Sequence, residues 1–304
     1  MISRRTLLQH TGAFVATCAA GRAFAQTQVQ LGAATLHSIS DGSLSLPGDM
    51  FFAALPQDEL APILQAANVS RDAVSPPCNL TLYQTPDATI LFDAGSGSGF
   101  MPSAGMMQDS LDAIGVAVDD ITHVVFTHAH PDHLWGVLDD FDDPMFPNAS
   151  YMISQVEWDY WTNPETVDSI GADRASFAVG AARRLEAIAD TITFFKDGDE
   201  VFSGVQAIAT HGHTPGHTSF ELRSGTSAVL VGGDAIGNHH VALARPAWAS
   251  GSDQNPELGA STRQALLDRL VADDIALLGF HLPQGGLGRI ERQDSGYRFI
   301  AGEM

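Results

Sequence analysis

The chain predicts an α/β fold, an αββα sandwich in which two mixed β-sheets are flanked by helices. Three observations carry this prediction. Apolar runs of strand length occur in both halves of the chain, helix-spaced segments are interleaved between them, and the ligand-type side chains gather where strands end.

Taken in order, Gln28 to Ser38 alternates as a half-buried strand does. Asn79-Leu80-Thr81-Leu82-Tyr83 and Thr89-Ile90-Leu91-Phe92 flank a Pro86-Asp87 turn and read as a hairpin. The second of these runs into Asp93-Ala94-Gly95 and a Gly/Ser loop. Met106 to Ile114 has helical spacing, and Ile121 to Phe126 is a short apolar run suited to a buried strand. Ala175 to Ala189 predicts a helix; Ile192 to Phe195, Val205 to Ala209, Thr218 to Leu222 and Ala228 to Val231 predict strands. A last helix, about Ser261 to Val271, precedes a strand at Ile275 to Gly279. No internal repeat or low-complexity linker interrupts this pattern, so residues 26–304 read as one domain.

Composition bounds the function. With 304 residues, 44% hydrophobic and 17% charged, the chain can bury a sizeable core, and its formal net charge of -21 repels polyanions. After residue 25 no basic cluster exceeds Arg183-Arg184, which excludes the phosphate-neutralising stripes of a nucleic-acid enzyme. A neutral or cationic small-molecule substrate is expected. Residues 1–25 fall outside the domain: Ser3-Arg4-Arg5-Thr6-Leu7-Leu8, an apolar stretch from Thr11 to Gly21 and Ala23-Phe24-Ala25 resemble a twin-arginine export signal cleaved after Ala25. The resemblance implies a periplasmic or secreted protein. Val15-Ala16-Thr17-Cys18 is a poor lipoprotein box, and the apolar stretch is too short for an integral membrane span. Beyond the signal only Cys78 remains, so no intramolecular disulfide can form, and a buried inert thiol is the expectation for it.

The chemistry concentrates in His128-Ala129-His130-Pro131-Asp132-His133, directly after the Ile121 to Phe126 run. Histidine offers a neutral nitrogen and aspartate a charged oxygen, and neither needs a reducing compartment. In a short turn leaving a strand, alternate side chains face one way while the following pair swings to the other side. One turn can therefore serve two metals, and four ligand-type residues in six positions are rarely accidental.

This run resembles the HxHxDH signature of the metallo-β-lactamase fold superfamily. His217 in His213-Thr214-Pro215-Gly216-His217, Asp234 in Gly232-Gly233-Asp234-Ala235 and His281 in Gly279-Phe280-His281-Leu282-Pro283 complete the usual set in the usual order. The resemblance implies that His128, His130 and His217 hold one metal, Asp132, His133 and His281 a second, and that Asp234 bridges them; His211 and His213 are then left as supporting or structural residues. Asp93 matches a strand-end aspartate that supports such sites, beside its ordinary reading as a turn or cap residue. His239 and His240 read as a solvated pair.

The resemblance further implies two divalent ions, zinc in the simplest case, and a hydrolase that attacks a small ester, lactone or phosphotriester with metal-bound hydroxide. Asp132 is the candidate proton acceptor as well as a ligand. Ser38-Ile39-Ser40-Asp41-Gly42, Glu157-Trp158-Asp159-Tyr160-Trp161 and Arg245-Pro246-Ala247-Trp248 look like the branch that contains methyl parathion hydrolase and quorum-quenching lactonases. The chain departs from that branch at Pro283-Gln284-Gly285-Gly286, and from many lactonases at Gly237, where a tyrosine is usual. Glyoxalase-like thioester hydrolysis, a related iron-dependent sulfur oxidation and a non-catalytic exported metal binder are the alternatives. Phe100, Trp135 and Trp158 or Trp161 are candidate pocket residues, and Phe51 and Phe52 are expected to cover the site or to support contacts in a homodimer.

Overall fold

The computed structural model describes residues 27–302; the segment read as an export signal, with Cys18, lies outside the described residues. The first sheet contains β1 (Gln28–Leu31), β2 (Ala34–Ser43), β3 (Pro77–Gln84), β4 (Thr89–Phe92), β5 (His123–Val125), β6 (Ser150–Ser154) and β7 (Ile192–Phe195), adjacent in that order. The second contains β8 (Glu200–Phe202), β9 (Val205–Ala209), β10 (Thr218–Ser224), β11 (Ser227–Val231), β12 (Ala276–Leu278), β13 (Leu287–Gln293) and β14 (Gly296–Ala301), again adjacent in chain order. Both sheets are mixed. Pairing is parallel from β4 through β7 and between β11 and β12, and antiparallel elsewhere.

The unbroken apolar runs of the sequence are explained by burial on both faces. In β4, Ile90 and Phe92 enter the core between the sheets while Leu91 faces the opposite way, toward the helices. In β11 and β12 the same alternation sends Val229, Val231, Ala276 and Leu278 between the sheets, and Leu230 and Leu277 outward. On the outer side of the first sheet pack α1 (Met107–Ala113), through Leu111, and α4 (Ala175–Ala187), through Ala178, Ala181 and Leu185. Leu266, Leu267 and Leu270 of α5 (Pro256–Ala272) cover the second sheet, and Asn255 caps that helix by accepting the Leu258 N–H at 3.1 Å. Two further helices, α2 (Pro131–Leu134) and α3 (Gln155–Thr162), lie beside the site. The predicted αββα layering is observed.

The structure differs from the sequence reading in detail. Gln28 to Ser38 is not one strand but β1 and the start of β2, joined by a tight turn in which Gly32 takes a φ of 65°. A helix at Gln57–Ala67, β6, α3 and the C-terminal hairpin of β13 and β14 went unread. The Gln57–Ala67 helix contains Pro62, a breaker in a sequence reading that is tolerated here in the second turn.

Candidate metal centre

Parallel neighbours end on the same side, and each sheet places such a pair near its middle. Asp93 follows β4, the His128–His133 run follows β5, Asp234 follows β11 and His281 stands three residues beyond β12. His213 lies on the loop leaving β9. The C-terminal ends of strands from both sheets therefore deliver side chains to one place.

They form two groups. His128, His130 and His213 are the first, Asp132, His133, Asp234 and His281 the second, and within each group the ligand atoms lie within 4.8 Å of one another. In the first, His130 Nδ1 lies 3.0 Å from His128 Nε2 and 2.9 Å from His213 Nε2. In the second, His133 Nε2 lies 3.2 Å from Asp234 Oδ1 and 3.6 Å from Asp132 Oδ2, and His281 Nε2 lies 3.3 Å from Asp132 Oδ2. Asp234 joins them, since its Oδ2 is 3.3 Å from His213 Nε2 and 3.2 Å from His281 Nε2. All seven side chains are buried.

The local fold explains the split within the run. His130 is the extended residue before α2 and Pro131 begins the helix, so His128 and His130 project from extended chain while Asp132 and His133 project from a helical turn.

His217 corrects the sequence reading. It joins neither group, because both of its nitrogens are engaged: Nε2 accepts the Asp234 backbone N–H at 2.9 Å and Nδ1 meets Thr210 Oγ1 at 2.8 Å. Thr210 continues to Ser219 Oγ, which donates to the Gly232 carbonyl, so His217 anchors the loop that carries Asp234. His213, set aside in the sequence reading, is the residue that converges with His128 and His130. The signal for it was positional: His217 immediately precedes β10 and is held within the fold, whereas His213 belongs to the connecting loop, where side chains are free to face a cleft.

The remaining nitrogens are held by the protein. His133 Nδ1 meets Asp93 Oδ2 at 2.8 Å, His213 Nδ1 meets Asp253 Oδ1 at 3.1 Å, His281 Nδ1 meets the Pro77 carbonyl at 2.8 Å and His128 Nδ1 meets Thr127 Oγ1 at 3.0 Å. These contacts fix each ring and direct its other nitrogen toward the centre. Asp93 thus supports the site, and it also accepts the Thr127 N–H at 2.8 Å. Glu157 on α3 ties two ligand loops together. It accepts from Ala129 N and Trp161 Nε1 through one oxygen, and from Thr214 Oγ1 and Gly216 N through the other. A side chain at Gly216 would place its Cβ 2.2 Å from the Glu157 nitrogen, so this approach requires glycine.

The electrostatics of the two groups differ. Burial, reinforced by neighbouring imidazoles, pushes His128 and His130 well below the ordinary histidine range, leaving neutral rings with free lone pairs. Burial opposes protonation of His133 and His281 as well, but Asp234 and its neighbouring carboxylates outweigh it. They raise His133 to about 10 and His281 well above its usual value. Burial works against ionised Asp234 too, and His281, His133 and His213 overcome it, holding the carboxyl well below its usual range. The second group thus demands positive charge. Asp132 Oδ2, His133 Nε2 and Asp234 Oδ1 are buried without a hydrogen-bond partner, as befits atoms whose partner is a cation. Nitrogen and carboxylate donors without thiolate fit two divalent ions.

A family model described as the metallo-beta-lactamase superfamily matches residues 75–280. The chain belongs to that superfamily. Curated relatives include the uncharacterized protein YobT of Bacillus subtilis (strain 168), 29% identical over 161 residues, 53% of this chain and 62% of that protein. They also include the N-acyl homoserine lactonase AttM of Agrobacterium fabrum (strain C58), 29% identical over 126 residues, 40% of this chain and 44% of that protein. The matches thus span less than two thirds of these relatives' lengths. Among solved structures, the dizinc quorum-quenching lactonase AidC has a TM-score of 0.86 at 26% identity, covering 92% of this chain and 98% of its own. AbOPH, a hydrolase in the beta lactamase superfamily, has a TM-score of 0.83 at 27% identity, covering 90% and 96%.

Above this superfamily member's two groups opens a cleft walled by Leu44, Leu46, Met50, Phe51, Phe100 and Phe177, with Arg174 at its side. Phe51 and Phe100 are where the sequence reading put them. Trp135 instead packs behind Phe100, 5.4 Å between rings, Trp161 is buried against His130 and Trp158 lies on Phe194. Phe52 enters a small separate core with Leu60 and Leu64. Among the described residues, no helix is long and apolar enough to cross a membrane.

Proposed function

We propose that the chain is a two-metal hydrolase of a small ester or lactone carrying an apolar arm. The observation that carries this reading is the pair of ligand groups sharing Asp234 at the floor of an apolar cleft. Two divalent ions, most simply zinc, would supply water activation near neutral pH and polarisation of the substrate's carbonyl oxygen. His128, His130 and His213 would hold one, Asp132, His133 and His281 the other, and Asp234 both. The chain's own residues do the rest. Leu44, Leu46, Phe100 and Phe177 bury the apolar arm and exclude water from it. Asp132 lines the cleft and, besides its place among the ligands, would be the carboxylate nearest to accept the proton released when water attacks. Arg174 is the cation on the wall; its Nη2 donates to the Gly251 and Ser252 carbonyls, which fixes the guanidinium beside any anionic product. Cys78, the one thiol beyond the export signal, is buried, which leaves no cysteine to act as nucleophile.

The test is a screen of lactones, aryl esters and phosphotriesters with protein of defined metal content. Hydrolysis of an ester or lactone that is lost in Asp234→Ala supports the reading. Inertness of the metal-loaded protein toward all three classes overturns it, and turnover confined to phosphotriesters reassigns the substrate. In heavy-oxygen water, a single turnover places the label in the acid product; unlabelled product in that first turnover would indicate a covalent protein intermediate. We infer also that the protein acts outside the cytoplasm, on the strength of Ser3-Arg4-Arg5. A fusion of residues 1–30 to a reporter should lose export when both arginines become lysine, and unchanged export would reject the inference.

A further inference from the structure

Residues 246–255, which lead into α5, contain no ligand yet touch two of the three imidazoles of the first group. Their backbone pairs with the ligand loop: Gln254 N donates to the His213 carbonyl at 3.0 Å and Asn255 N to the Gly212 carbonyl at 2.9 Å. Side by side, Asp253 and Gln254 reach different rings. Asp253 Oδ1 meets His213 Nδ1 at 3.1 Å, and the Gln254 amide nitrogen lies 3.5 Å from His130 Nε2. An ionised carboxylate only accepts, so His213 carries its proton on Nδ1 and turns the Nε2 lone pair to the centre. His130 is reversed, for its Nδ1 faces His128 and His213. When Nδ1 gives its lone pair to an ion, Nε2 keeps the proton and the Gln254 amide turns its oxygen toward it. Two arginines hold the segment. Buried Arg263 of α5 donates from Nε to the Pro246 carbonyl at 3.1 Å and from Nη2 to the Trp248 carbonyl at 2.5 Å, while its Nη1 lies 3.5 Å from Asp253 Oδ2. That oxygen is buried without a hydrogen bond, and the guanidinium is the cation paired with it. Arg174 takes the Gly251 and Ser252 carbonyls at 2.8 and 3.1 Å. The rings of the second group are held elsewhere, His133 by Asp93 and His281 by the Pro77 carbonyl.

We infer that Asp253 and Gln254 are positioning residues for the first ion alone, with Arg263 as the cation that keeps Asp253 in place. The inference rests on the two-metal reading above. A ligand ring that loses its outer hydrogen bond is free to rotate and to exchange tautomers, which weakens metal binding by about 10- to 100-fold. Such a loss falls on His130 and His213 and leaves Asp132, His133 and His281 with their supports whole. Removing Arg263 would strand the Asp253 carboxylate buried and unpaired, so the positioning belongs to the pair rather than to the carboxylate alone. The two halves of the centre are therefore tuned from different parts of the chain. At limiting metal, protein altered in this segment holds its ion in the second site.

Zinc binding measured one site at a time tests this without turnover. In the full-length chain, His281→Ala leaves the first group whole and His213→Ala leaves the second. Zinc affinity in each background is read by competition with a chelator of known affinity. In the His281→Ala background, Asp253→Asn should weaken zinc by about 10- to 100-fold and Gln254→Leu by less. In the His213→Ala background both should leave the affinity unchanged, which a general loosening of the fold would not. Arg263→Met should reproduce the Asp253→Asn pattern; where urea unfolding shows that it does not fold, Asp253→Asn and Gln254→Leu decide the matter. Equal weakening in both backgrounds, or none in either, overturns the inference. Wild-type protein that saturates with a single zinc ion, alongside a loss confined to the His281→Ala background, would instead remove the two-metal reading and keep the positioning role.

Discussion

His213 and His217 stand four residues apart around Pro215-Gly216, and a sequence cannot say which of two buried imidazoles turns its free nitrogen outward. The hydrogen bonds can. His217→Ala should leave the three-nitrogen group intact but release the Asp234 backbone, weakening metal affinity by about 10- to 100-fold. His213→Ala should remove one ion outright. Elemental analysis and competitive metal titration distinguish the two, and equal stoichiometric loss in both variants would contradict the assignment. Asp132, His133, Asp234 and His281 were legible because their order and spacing survive without knowledge of side-chain direction. Cys78 allows a prediction of a different kind. Burial raises its thiol to about 12. The unfolded thiol loses its proton near its ordinary value of 9.0 while the folded one retains it, so the unfolded chain binds fewer protons across this window. Stability should therefore fall as pH rises from about 9 to 12, with a slope approaching about 1.4 kcal/mol per pH unit from this group. Urea unfolding at pH 8, 9 and 10 should show a shallower decline in Cys78→Ser, and parallel curves would assign the alkaline loss elsewhere.

At the scale of elements, strands buried on both faces were read well because β4, β11 and β12 are continuous apolar runs bounded by turn residues. The helix α3 was not, since Gln155–Thr162 mixes aromatic and charged residues without a clear apolar stripe. Its irregularity has a cause: the helix buries a carboxylate. Glu157 meets four donors, two of them backbone N–H groups from separate loops, and its removal would strand all of them. Glu157→Ala should cost about 3 kcal/mol or more in chemical denaturation, because unsatisfied buried donors carry their full desolvation penalty. Glu157→Gln should cost less, as one oxygen remains. A loss below about 1 kcal/mol for the alanine variant would show that water replaces the carboxylate. Gly216→Ala probes the same junction by steric means; its Cβ would meet the α3 backbone and should disturb metal binding through His213 as well as stability.

Taken whole, the molecule is two sheets whose central parallel pairs end side by side, and the metal centre sits across that seam. Asp234 comes from the second sheet yet lies within 3.2 Å of His133, which the first sheet supplies. Ions bound there would hold the halves together, so chelation should lower the unfolding temperature in proportion to metal affinity. At a free ion concentration a thousand times the dissociation constant the stabilisation is about 4 kcal/mol. Asp234→Ala should depress both the metal content and this increment, and an unfolding temperature indifferent to chelator would deny the coupling. The sequence could announce most of the converging residues but not the seam, because contact between sheets depends on which face each strand turns inward. The placement of the cleft wall has a different consequence, for descent. Leu44, Leu46, Met50, Phe51, Phe100 and Phe177 come from loops and short elements outside the two sheets and from α4, while the ligands follow the ends of sheet strands. Mutation can therefore redraw the wall while the inherited chemistry stays under separate selection. A lineage holding this scaffold is free to change its diet without relearning how to cut.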